Sequence, residues 1–68
     1  MGKYERLWKF LQANEAGTLK LTFEEIKNII GFDIDHSFLT YKKEADQFGY
    51  QVGKISLKEK AVLFNKIG

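Results

Sequence analysis

The stretch TFEEIKNIIG, Thr22 to Gly31, fixes both ends of a short helix and so anchors the reading of everything around it. Thr22 is placed to accept the N–H of Glu25 while the Glu25 carboxylate reaches back to the N–H of Thr22, the reciprocal pair of a capping box. Phe23, Ile26 and Ile30 repeat at helical spacing with Ile29 beside them. Gly31 then supplies the left-handed ending that a residue with a Cβ resists. Only about two turns fit between these signals.

Upstream, KYERLWKFLQAN carries Tyr4, Leu7, Trp8 and Leu11 at i, i+3, i+4 and i+7, one apolar stripe with Phe10 at its edge. Asn14 and Gly17 are the expected stop. TLKLT follows as a short alternating strand with Leu19 and Leu21 on one side. Downstream, FDID is a tight connection in which Phe32 and Ile34 are apolar anchors and Asp35 and Ser37 both suit an N-cap. A third helix is predicted over 36–48, ending at Gly49, with Phe38, Tyr41, Ala45 and Phe48 on its apolar side. YQVGKISL and AVLFNKI then read as a hairpin, strands 50–57 and 61–66, around the polar tip Lys58-Glu59-Lys60. Tyr50 and Val52 are out of step with Ile55 and Leu57, so a bulge is expected at Gly53.

No cysteine occurs among the 68 residues, which excludes disulfides and thiolate metal sites. A single domain over 1–68 must therefore hold together on its core, and a chain this short buries only about 60% of its unfolded surface. Six Phe, three Tyr and one Trp supply the mass. Trp8, Phe23, Ile26, Phe38, Ala45 and Phe64 are expected to be mutually buried, while Tyr50 is expected to keep its hydroxyl within reach of solvent. No apolar run approaches the ~20 residues that span a bilayer, and no signal-peptide pattern is present, so a cytoplasmic protein without membrane contact is expected.

The element order is helix, short strand, helix, helix, strand, turn, strand. A short helix, a connection and a polar-faced helix resemble a helix-turn-helix, and the hairpin stands where a wing would. The expected class is α+β, a winged helix-turn-helix-like single domain, with another small α+β sandwich as the alternative arrangement.

The segments YERLWKFL, LTFEEIKNIIGF, HS at 36–37, GYQV and VLF together resemble a family of small bacterial domains, domain of unknown function 7662. The resemblance runs from Tyr4 to about Phe64 and rests on Tyr4, Leu7, Leu21, Thr22, Phe23, Glu25, Ile26, Gly31, Ser37, Gly49, Tyr50, Val52 and Phe64. Longer relatives carry a tryptophan-rich insert between the serine and GY; here FLTYKKEADQF runs directly through. The resemblance implies domain boundaries. It brings no activity and no catalytic residue.

Chemistry has little to work with. One His and no Cys exclude a Cys–His pair, and Asp33-x-Asp35-His36 lacks a fourth ligand for a metal. Ser37 beside His36 is no triad, because adjacent helical side chains do not face each other. VGKIS lacks P-loop spacing and leads into a strand. Glu24, Glu25 and Lys27 read as a solvated face of the second helix. No enzyme, cofactor, metal or small-molecule substrate is implied.

Charge points elsewhere. Residues 36–68 hold six Lys against Glu44, Asp46 and Glu59, a net of +3, within a chain of net +2. The leading expectation is a small nucleic-acid-binding module, DNA before RNA. His36, Thr40, Lys43 and Gln47 on the third helix would face a groove, and Lys42, Lys54, Lys58 and Lys60 would contact phosphates. The alternative is a protein-interaction or homodimerisation module of the same fold. The near absence of Arg and the acidic interruptions at Glu44 and Asp46 weigh on its side.

Overall fold

The computed structural model describes residues 2–15 and 17–67. Among them, α1 spans Glu5–Asn14, β1 Thr18–Thr22, α2 Phe23–Ile30, α3 His36–Tyr41, β2 Tyr50–Ser56 and β3 Ala61–Lys66. A 3-10 segment, Lys42–Phe48, continues directly from α3. The chain is an α+β domain: three helices on one face of a three-stranded antiparallel sheet of order β1-β3-β2. No helix of the described residues is long and apolar enough to cross a membrane.

Each boundary has a local cause. The capping box at Thr22 is present in both directions, with Glu25 N–H donating to Thr22 Oγ1 at 3.0 Å and Thr22 N–H donating to Glu25 Oε1 at 2.8 Å. Gly31 takes the left-handed cap at φ +88°. Glu15, not Gly17, takes the left-handed position that ends α1, at φ 56°. Gly17 instead accepts the Lys66 N–H at 2.8 Å and so starts the pairing of β1 with β3. In the hairpin the register shifts between Val52 and Ile55, the bulge expected at Gly53. A Cβ there would lie 2.7 Å from Asn65 Nδ2 and 3.2 Å from the Leu63 carbonyl, so a side chain at the bulge would have to displace Asn65 and press on the β3 backbone.

The third helix departs from expectation. It is α-helical only to Tyr41 and then tightens to 3-10 as far as Phe48. A 3-10 turn repeats every three residues. Lys42, Ala45 and Phe48 therefore share one row, and it is this row that is covered, with Ala45 fully buried. The α-helical wheel still places Ala45 and Phe48 on the covered side, but it misses Lys42 there and wrongly sets Lys43 and Gln47 on one face. Tyr41 itself is 40% exposed despite its place on the expected apolar side.

The core joins α1, α2, α3, the 3-10 segment and the inner face of the sheet through Tyr4, Leu7, Trp8, Leu11, Leu21, Ile26, Ile30, Phe38, Ala45, Tyr50, Val62 and Phe64. Five of the six expected core residues belong to it. Phe23 does not: it is half-buried, because the first residue of α2 sits at the end of the helix beside the hairpin turn. Tyr50 is the opposite correction, with 2% of its surface exposed where solvent contact was expected. Tyr4 is the hub of the aromatic cluster, edge-on to Phe38 at 5.4 Å and within 6.2 Å of Trp8, Phe32 and Tyr41. Edge-to-face pairs at such spacings add to what area burial supplies.

Candidate functional site

The expected reading face of the third helix is not one surface. His36 stands at the start of α3 beside an apolar groove. Thr40 is exposed one turn later. Lys42 and Lys43 lie in a shallow depression with Asp46, Gln51 and Val52. Gln47 lies on another side, in a cleft with Glu5, Trp8 and Glu44. The cause is the change of period at Lys42, which turns Gln47 away from Lys43. Two carboxylates beside Gln47 also repel a phosphate backbone.

The hairpin lysines are dispersed as well. Lys54 lies on the outer face of the sheet, near Lys20 and Glu59. Lys20 Nζ donates to Glu59 Oε1, and this hydrogen bond, followed by the Lys20 charge, holds the Glu59 carboxyl below its ordinary value. Lys58 and Lys60 are exposed in the turn between β2 and β3. The Lys60 carbonyl accepts the Phe23 N–H at 2.7 Å, which pins the turn to the start of α2.

Two polar ties missed at the level of sequence set the position of α3 and the segment after it. Glu44, expected only as an interruption of the basic stripe, accepts from Trp8 Nε1 at 3.2 Å. Ser37 does not cap α3. Asp35 does, accepting the Ser37 N–H at 2.9 Å and the Ser37 hydroxyl at 2.6 Å. With its proton given to Asp35, Ser37 Oγ is the acceptor for the Tyr4 hydroxyl at 2.8 Å. The chain Tyr4 to Ser37 to Asp35 thus locks the start of α3 against the start of α1.

The Ser37 hydroxyl, then its N–H, then the charges of Lys3 and His36 hold the Asp35 carboxyl below its ordinary value. A carboxylate whose folded pKa is depressed adds stability above its unfolded pKa, ~3.9, and this is lost as pH falls through the folded value. We therefore expect wild-type melting temperature to fall on acidification below about pH 4 more steeply than that of Asp35→Asn. Thermal unfolding followed by circular dichroism from about pH 6 to about pH 2.5 checks this; parallel curves would rule it out.

A broad surface groove lies between α3 and the hairpin. Phe23, Ile34, Phe38, Leu39, Ile55 and Leu57 line an open groove of about 530 Å³, with Asp35 and His36 at its rim. Leu39 is 52% exposed and Leu57 77%. Neither was singled out as a site residue. The signals were present: Leu39 lies off the apolar stripe of α3, and Leu57 keeps the inward phase of Ile55 but falls in the turn, beyond the helices that cover the sheet. An apolar patch shared between two elements and rimmed by polar groups marks a contact surface more often than a solvated one.

In comparison with known proteins, the chain matches no family model, no curated protein and no solved structure.

Proposed function

We propose that this chain is a non-catalytic protein-interaction module of winged-helix topology, and that the groove between α3 and the hairpin is its docking surface. The order of elements and the sheet order β1-β3-β2 support the topology, in which α2 and α3 form the helix-turn-helix and the β2–β3 turn the tip of the wing. One observation carries the function. In a duplex-reading winged helix the recognition helix and wing face nucleic acid together, yet here the surface between them is apolar, with Leu39 and Leu57 exposed. Phosphates gain nothing from such a surface, whereas protein side chains do.

A second reading, nucleic-acid contact through the flanks, draws on Lys42, Lys43, Lys54, Lys58 and Lys60, none of which forms an ion pair among the described residues. Such binding would be held by phosphates and carry little sequence preference.

Titration of labelled duplex and single-stranded DNA at about 50 mM salt separates the two. The interaction module is expected to give no saturable binding, and Lys58→Ala and Lys60→Ala no change. Saturable binding whose logarithmic salt slope drops by about one unit for each lysine removed would transfer the assignment to nucleic acid.

A further inference from the structure

We propose that the occupant of the groove is a second copy of this chain, docked about a two-fold axis running along the groove. This rests on the interaction reading above and names its partner. A two-fold contact is isologous, so a surface can serve only if it is complementary to itself. This one is. An axis along the groove sets the α3 wall of each copy against the hairpin wall of the other. Leu39, half exposed on the first wall, then meets Leu57 of the second copy, the most exposed of the large apolar side chains on the second wall. The contact occurs twice.

The charges follow the same operation. Asp35 stands exposed at the rim of the α3 wall, while Asp33 before it is paired with Lys27 at 3.4 Å. The hairpin wall runs from Leu57 into Lys58 and Lys60, also exposed. In this dimer Asp35 of each copy faces the hairpin lysines of the other, the arrangement in which rim charges fix orientation while buried carbon supplies affinity. The area needed is modest. A weak specific interface buries about 600 Å² per partner, roughly one-eighth of the 4636 Å² surface of this chain. A domain of this size also gains the burial that its own core cannot supply.

Sedimentation equilibrium from about 10 μM to about 1 mM tests the proposal, alongside amide chemical shifts followed over the same range. A monomer–dimer equilibrium is expected, with concentration-dependent shifts at Leu39, Ile55 and Leu57. Leu57→Asp and, independently, Leu39→Lys are expected to weaken it about a hundredfold, since each substitution enters the interface twice. Both sites are exposed, so unchanged circular dichroism should accompany the loss. Lys58→Glu combined with Lys60→Glu should weaken the dimer about tenfold at low salt. A monomer throughout, or a dimer indifferent to Leu57→Asp, overturns the proposal. An amphipathic helical peptide with leucines at i, i+3, i+4 and i+7, titrated into the monomeric concentration range, keeps the two readings apart. If the protein stays monomeric and this peptide shifts Leu39 and Leu57, the second copy falls and the docking groove stands. If the peptide also fails, both fall.

Discussion

Phe38→Ala is expected to cost about 3–5 kcal/mol, which for a domain of this size removes most or all of its stability at room temperature. Phe38 is 2% exposed and lies between Tyr4 at 5.4 Å and Trp8 at 6.0 Å, so deleting its ring opens a cavity among aromatic groups that cannot all collapse into it. The neighbouring substitution Leu39→Ala is the control. With half of its surface already in water, it is expected to change stability by less than about 0.5 kcal/mol. Urea melts of the two variants should differ by several kcal/mol although the residues are adjacent in sequence. Equal melts would mean that the two residues do not differ in burial as the structure has them.

Gly49→Ala is expected to cost about 1–2 kcal/mol, through the backbone alone. Gly49 stands at φ +86° where the 3-10 segment turns into β2, and its neighbourhood leaves ample space for a methyl group. Any loss is therefore conformational and not steric. The residue also joins two parts of the fold, since its N–H reaches the carbonyls of Ala45 and Asp46 and its carbonyl accepts the Ile67 N–H at 2.9 Å. A denaturant midpoint shift in Gly49→Ala with an unchanged slope is the expected signature. No shift would show that the turn relaxes out of the left-handed region without loss.

Gly49 and the segment before it mark where sequence reasoning succeeds and where it stops. Gly49, Gly31, the Thr22–Glu25 box and the Gly53 bulge were legible because each is a local device: the partners lie within a few residues and the geometry is imposed by the backbone. The tightening of the third helix after Tyr41 was not. Nothing between Phe38 and Phe48 breaks a helix, since the run LTYKKEADQ contains neither Gly nor Pro. What selects the 3-10 period is tertiary: Ala45 is buried between α1 and β2, and Glu44 must reach Trp8. One altered angle per residue then divides Lys43 from Gln47 and dissolves the polar face on which the nucleic-acid expectation stood. Glu15 at the end of α1 fails in the same way, for a chain that needs a left-handed residue takes whichever one the length of the stripe puts there. The groove was half legible. Its hydrophobic side chains were visible individually, but that Phe23 from α2, Leu39 from α3 and Leu57 from the hairpin meet depends on the turn being pinned to α2 through the Lys60 carbonyl.

The order β1-β3-β2 places β3, the last of these three strands in sequence, at the middle of the sheet. During synthesis, neither β1 nor β2 has a neighbour to pair with until residues 61–66 have left the ribosome. Until then two strand-forming segments stay unpaired, a condition in which nascent chains are exposed to aggregation. Val62 and Phe64, both wholly buried, arrive together with the backbone donors and acceptors that complete the sheet. Closure of the sheet thus waits on the one strand that pairs with both others, and that strand follows both in sequence.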